Sequence, residues 1–319
     1  MNKKLSIIFR ITALSSLLSL SLVSPVFAQK SSDSSGLEVS APIYEPTIKP
    51  GTADPNIIKI KNIGSQTTTY YPEVVDFKPL DETGAPSFLK VGEDSGTYSL
   101  AKWVTFTKEA ITLAPNESTA LTFTITVPAN AEPGGHYGGI LFSTQPVSVQ
   151  GTGVALASKV GSLILVRVAG AAKEILTIKE FSTPKSSYDN ANVNFTLRVE
   201  NSGNVHLQPK GVVVIKNILG GQIAALDVNQ IGSNVLPSSI RDFELNWKDP
   251  GFKIGYYTAT LTLSYGNPSQ NLTSQVSFWI LPWNIILITA ATLLIVLIGL
   301  YFAIKKYNAW IISKAQKQI

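Results

Sequence analysis

Residues 120–142 read ALTFTITVPANAEPGGHYGGILF. The first half alternates, with Leu121, Phe123, Ile125 and Val127 apolar and Thr122, Thr124 and Thr126 polar. A period of two describes a strand with one dry and one wet face. The second half holds Gly134, Gly135, Gly138 and Gly139, together with His136, one of two histidines in the chain. Three readings compete for it: a loop that cradles phosphate, a catalytic histidine in a flexible cleft, or a corner between two strands. A phosphate loop needs Gly-x-x-x-x-Gly-Lys-Ser/Thr opening a helix, and this stretch has neither the lysine nor a helical pattern after it.

The stretch recurs as DFELNWKDPGFKIGYYTATLTL at residues 242–263. Each copy has an alternating strand, a Pro-Gly turn, and then Gly-x-Tyr opening another strand. Gly135-His136-Tyr137 aligns with Gly255-Tyr256-Tyr257, so the glycine and the second tyrosine are kept and the histidine is not. This favours the corner. Gly135 and Gly255 are expected to supply backbone angles that other residues resist. Tyr137 and Tyr257 are expected to bond back to the preceding loop, like the tyrosine corner of immunoglobulin-type domains. Upstream, NIIKIKNIGS at residues 56–65 matches NVNFTLRVENSG at 192–203.

Two ordered copies of short strands, separated by turn signals, predict an all-β chain with two Ig-like β-sandwich domains, at residues 29–170 and 171–279. Trp103 and Trp247 lie in alternating runs and are expected in the two cores. The first copy is longer, and much of its excess is residues 78–102. An inserted loop on a rigid scaffold is a common place for function. Its aromatics, Phe88 and Tyr98, are the candidate ligand contacts, in a polar setting of lysines and the acids Asp81, Glu82, Glu93 and Asp94.

The ends carry a different pattern. Residues 1–28 have a basic start, an apolar run and a Val-Phe-Ala finish, the form of a secretory signal peptide. Residues 280–304 are expected to form one transmembrane helix, because the twenty residues 285–304 carry no charge and span about 30 Å as a helix. Trp279, Trp283, Tyr301, Tyr307 and Trp310 flank the run as an aromatic belt does. Lys305, Lys306, Lys314 and Lys317 make residues 305–319 a basic tail, expected on the cytoplasmic side of a bacterial cell membrane, with the sandwiches outside.

The chain has 26 basic and 21 acidic residues. Three of the basic residues lie in the first segment and four in the tail, with no acid in either, which leaves 19 basic against 21 acidic between them. The region between is not basic, so nucleic acid is not an expected partner. With no cysteine, an exported fold must be held by its cores alone.

Enzyme chemistry finds little support. His136 and His206 are the only histidines, with His206 expected exposed beside a turn. There is no His-Glu-x-x-His, no EF-hand spacing and no Gly-x-Ser-x-Gly. The acids of residues 78–102 are expected to be solvated loop charges. No catalytic residue, metal or cofactor is expected. Three sequons, at Asn116, Asn194 and Asn271, are short matches of the kind that arise by chance.

The chain resembles the WxL-interacting proteins of Gram-positive cell surfaces. The likeness rests on the order of segments and on Trp103-Val104, ITLAPNES at residues 111–118 and residues 127–142. It implies a first domain that binds peptidoglycan and a second that binds a host or partner protein. The expected function is therefore non-catalytic binding of cell-wall peptidoglycan or a surface protein, with a structural stalk for other surface proteins as the alternative.

Overall fold

The computed structural model describes residues 36–145 and 159–316. The expected signal segment, residues 1–28, lies outside the described residues.

The first sandwich is built from β1 (Leu37–Val39), β2 (Ile43–Tyr44), β3 (Thr47–Ile48), β4 (Ala53–Asn62), β5 (Thr68–Pro79), β6 (Pro86–Phe88), β7 (Val104–Phe106), β8 (Ile111–Leu113), β9 (Ser118–Thr126), β10 (Gly134–Ser143) and β11 (Val160–Val168). One sheet runs β1-β4-β9-β7. The other runs from β2 and β3 through β11 and β10 to β5, which also pairs with β6 and β8. The chain therefore switches sheets between β1 and β2, and β2 and β3 lie parallel to β11.

The second sandwich repeats this plan with β12 (Leu176–Ser182), β13 (Ser187–Tyr188), β14 (Ala191–Asn201), β15 (Lys210–Asn217), β16 (Gln222–Val228), β17 (Ser239–Asp249), β18 (Gly255–Tyr265) and β19 (Gln270–Ile280). Its sheets are β12-β14-β17 and β13-β19-β18-β15-β16, with β13 parallel to β19.

Alternation decides which side chains fill each core. On β9, Leu121, Phe123 and Ile125 point inward. On β14, Val193, Phe195, Leu197 and Val199 do the same. Trp247 is buried against Tyr257 and Phe278. Each sandwich has its own apolar cluster. The structure is mostly strand, with two Ig-type sandwiches and one long C-terminal helix.

The repeat extends to buried polar chemistry. Asn62 and Asn201, at the ends of β4 and β14, are both fully buried. In each, Oδ1 accepts from the backbone N–H two residues on, at Gly64 and Gly203. Each Nδ2 donates to the carbonyl four residues on, Gln66 or Val205, and to a carbonyl from a distant loop, Leu113 or Val235. A buried amide with its donors and acceptor satisfied fixes a turn without an unpaired polar group.

Strand β19 runs to Ile280, and only Leu281 and Pro282 separate it from α1 (Trp283–Gln316). The helix thus starts later than the expected residue 280, because residues up to 280 stay paired in the sheet. It also continues past Lys305 and Lys306, so residues 305–316 are helical rather than a separate tail. Lysine, alanine and glutamine are good helix formers, and nothing there breaks the run. Residues Trp283–Ile311 are long and apolar enough to cross a membrane.

Candidate functional site

Residues 78–102 fold back over the first sandwich instead of projecting as a free loop. Their anchor is Asp76 of β5, a fully buried carboxylate. Its Oδ1 accepts from the N–H of Leu100 at 2.9 Å and of Ala101 at 2.7 Å. Its Oδ2 accepts from the N–H of Ser95 at 3.0 Å and the Ser95 hydroxyl at 3.2 Å. Backbone donors gathered on one carboxylate tie down a segment that has little regular pairing of its own.

This layer explains why every residue of β10 is buried. On the inner face, Ile140 and Phe142 enter the core. The outer face is covered by the folded-back segment, and the glycines make room for it. A Cβ on Gly139 would come within 2.7 Å of the Phe88 ring. A Cβ on Gly135 would meet the Tyr137 hydroxyl at 1.8 Å. Gly134, at φ +151°, faces the second sandwich, where a Cβ would lie 2.8 Å from the Asn204 carbonyl oxygen. The glycine-rich stretch is a packing surface for two partners, the segment above it and the neighbouring domain.

The two expected corners therefore differ. Gly255 has φ +118° and Tyr257 Oη donates to the Ile254 carbonyl at a long 3.4 Å. In the first domain the left-handed angle belongs to Gly134, not Gly135. Tyr137 Oη is buried, and among the described residues no group meets it with hydrogen-bond geometry, although the nearby His206 backbone acts against the effect of burial. Burial holds the Tyr137 phenol well above its ordinary range. Its ring meets Phe77, Tyr98 and, edge-on, His206.

The histidines are both enclosed. His136 packs on Trp103 at 4.1 Å between ring centroids, and its Nδ1 is 3.0 Å from the Ser99 carbonyl oxygen. Burial pushes it below its ordinary value. His206, expected exposed, is largely buried where the domains meet. Burial first, and then the positive Arg167, push it down to about 4. Trp103 is only partly buried, because it caps the core edge against His136, whereas Trp247 is enclosed on all sides.

The domain junction is polar and specific. The turn at Asp81 to Gly84 docks on the second sandwich. There Glu82 takes two hydrogen bonds from the Arg198 guanidinium, and its carbonyl accepts from the N–H of Asp242. The Arg198 pairing holds Glu82 below the usual carboxylate range. The Asn204 carbonyl accepts from Gly135 N–H, and Asn204 Nδ2 donates to the Pro133 carbonyl. Arg167 pairs with Glu174.

The other acids of residues 78–102 are occupied locally: Asp81 with Thr83, Glu93 with the Lys90 N–H, and Asp94 with Lys102 and the Gly96 N–H. Among the described residues no cluster of His, Asp and Glu is placed to hold a metal ion.

Between the folded-back segment and the second sandwich lies a cleft of about 540 Å³. Phe77, Tyr98, Tyr137 and Leu236 form its apolar wall, and Lys78, Asp81, Glu200 and Ser239 line its polar side. Tyr98 also borders a recess of about 290 Å³, with Thr97, Glu132, His136 and Asn204. Phe88 is not in the cleft. It lies over Gly139 with its edge on Phe77, and two-fifths of its surface remains exposed. The two candidate ligand contacts thus sit at opposite ends of one aromatic row, Phe88–Phe77–Tyr137–Tyr98.

No family model matches the chain, and no curated protein matches it. Its similarity to solved structures is remote. The class 5 fimbriae chaperone CfaA has a TM-score of 0.39 and 12% identity over 75% of this chain and 98% of that one. The E. coli chaperone DraB has 0.34 and 14%, over 76% and 96%. The Salmonella enterica SafA pilin in complex with the SafB chaperone has 0.32 and 12%, over 77% and 96%. These similarities concern the β-sandwich fold.

Proposed function

We propose that this is a membrane-anchored bacterial surface protein that binds cell-wall peptidoglycan or a surface protein without catalysis. The observation that carries the reading is the cleft between residues 78–102 and the second sandwich. Ligand sites of this size favour domain junctions, and an aromatic wall facing polar groups suits an extended glycan or peptide. The resemblance to WxL-interacting proteins supports the same ligand class. The basic residues beyond the apolar run support a cytoplasmic C-terminus, with both sandwiches outside.

The test is binding of the full chain, in detergent, to purified cell-wall sacculi. Tyr98→Ala is expected to lower the bound fraction at least several-fold while the melting temperature stays within a few degrees. A folded Tyr98→Ala protein that binds as the native protein does would overturn the cleft as the site. One observation favours the alternative, a stalk for other surface proteins: the junction is clamped by Glu82–Arg198, Arg167–Glu174 and Asn204, which suits a rigid spacer. In that case neither protein binds sacculi.

A further inference from the structure

The second sandwich has two ends, and the strand register assigns every loop to one of them. Asn217 at the end of β15 pairs with Tyr257, Gly255 at the start of β18 pairs with Ile280, and Tyr188 of β13 also pairs with Ile280. The β15–β16 turn, the β17–β18 loop and the exit into α1 therefore share one end. The first sandwich contacts the other end, through Asn204 and Glu174.

Apolar side chains form the tips of the α1 end, around the Asp249–Lys253 ion pair and an exposed Asp189. Leu219 at the tip of the β15–β16 turn is 90% exposed, beside an exposed Ile218. In the β17–β18 loop, Phe252 is 63% exposed and Ile254 is also exposed. On the rung before the last, the Tyr256 and Trp279 rings meet at a tilt, 5.1 Å between centroids, and Trp283 opens α1. Set back from these tips are two exposed lysines, Lys216 and Lys248.

The joint leaves this end no room to stand off. Leu281 and Pro282 span at most about 7 Å, and the continuous apolar run of α1 begins at Ile285. The headgroup layer on each side of a bilayer is itself roughly 5–8 Å deep. Phe252 lies beyond Gly255, the partner of Ile280, and so on the bilayer side of the last rung.

We propose that this end of the second sandwich is seated in the interfacial layer of the membrane that α1 crosses. Leu219 and Phe252 enter the acyl boundary, Tyr256, Trp279 and Trp283 lie at headgroup depth, and Lys216 and Lys248 face lipid phosphate. The inference rests on α1 spanning the membrane, and not on the cleft or its ligand.

The chain has no cysteine, so single labels are clean. Leu219→Cys, Phe252→Cys, Ile231→Cys and Ile295→Cys would each carry a nitrobenzoxadiazole label. The full chain is reconstituted in vesicles of phosphatidylcholine and phosphatidylglycerol, with and without doxyl-labelled phosphatidylcholine. Ile231 is the control: it is 92% exposed and equally apolar, but lies in the β16–β17 loop at the far end, about 36 Å away along an 11-residue strand.

The expected result is doxyl quenching at positions 219 and 252 at least twofold stronger than at 231, with the deepest quenching at 295. Quenching at 295 with 219 and 252 no different from 231 would overturn the seating alone. No quenching at 295 would overturn the spanning premise, and the proposal with it. Blue-shifted emission at 219 and 252 that follows protein concentration and ignores doxyl lipid would mean a second protein covers this end, and would also overturn it. Near-UV circular dichroism of each variant checks the fold.

Discussion

Asp76→Asn is the most informative perturbation of the folded-back segment. The native carboxylate takes Leu100 and Ala101 N–H on one oxygen and the Ser95 N–H and hydroxyl on the other. An asparagine can keep only one oxygen. With that oxygen on Leu100 and Ala101, its amide group faces the Ser95 N–H, donor against donor. One or two hydrogen bonds to a charged group are lost, each worth about 1.5–3 kcal/mol, and the Ser95 side is part-buried. The expected cost is about 2–4 kcal/mol, and Asp76→Ala, which leaves the buried Leu100 donor unpaired as well, costs more. The loss is local first, since Asp76 ties the segment down while both apolar cores stay intact. Hydrogen exchange should therefore show the amides of Ser95, Leu100 and Ala101 deprotected before the rest of β5. Unchanged exchange at these amides, together with an unchanged urea midpoint, would refute the anchoring role.

Trp247→Ala should cost roughly 3–5 kcal/mol, and Trp103→Ala less, because Trp103 is partly exposed; thermal melts of the two variants decide the order. Tyr137→Phe removes a buried hydroxyl that has no proper partner, so stability should stay level or rise by up to about 1 kcal/mol, and a clear loss would reveal a hydrogen bond there. His206 has a folded value of about 4 against an ordinary 6.5. Its neutral form is the one the fold prefers, so its contribution is fully present above pH 6.5 and is lost as pH falls through 4. The loss is on the order of 3 kcal/mol. His206→Gln should flatten the slope of stability against pH in that window, while the slope from His136, shifted the same way, remains.

What the sequence disclosed followed its local patterns. The alternation on β9 and β17 is written in successive residues, and it marked Leu121, Phe123 and Trp247 as inward. The order of turns and strands showed the repeat. The junction was not legible, because Arg198, Asn204 and Glu82 are polar residues on strand faces and turns that would look the same in water. His206 was misread for that reason: it flanks a turn, and only the first domain encloses it. Asp76 was missed, although an acid inside Val74-Val75-Asp76-Phe77 was a signal, since a buried carboxylate needs donors gathered around it. Gly-x-Tyr recurs near the starts of β10 and β18, but the expected angle at Gly135 belongs to Gly134. The two tyrosines differ because one copy has a neighbouring domain against it and the other does not.

The parallel pairing of β13 with β19 has a mechanical consequence. The chain enters the second sandwich at the end nearer the first domain and leaves it at Ile280, toward α1. If a load pulled the first domain away from the membrane, β13 and β19 would be drawn in opposite directions along their length. Their rungs, Ser187 with Trp279 and Tyr188 with Ile280, would then be loaded together in shear instead of peeling one at a time. The bonds from Trp279 N–H to the Ser186 carbonyl and from Leu281 N–H to the Tyr188 carbonyl would share that force. A short ladder placed beside α1 is thus a clamp against tension, resisting extension of the domain at the point where a chain held by that helix would first be stretched.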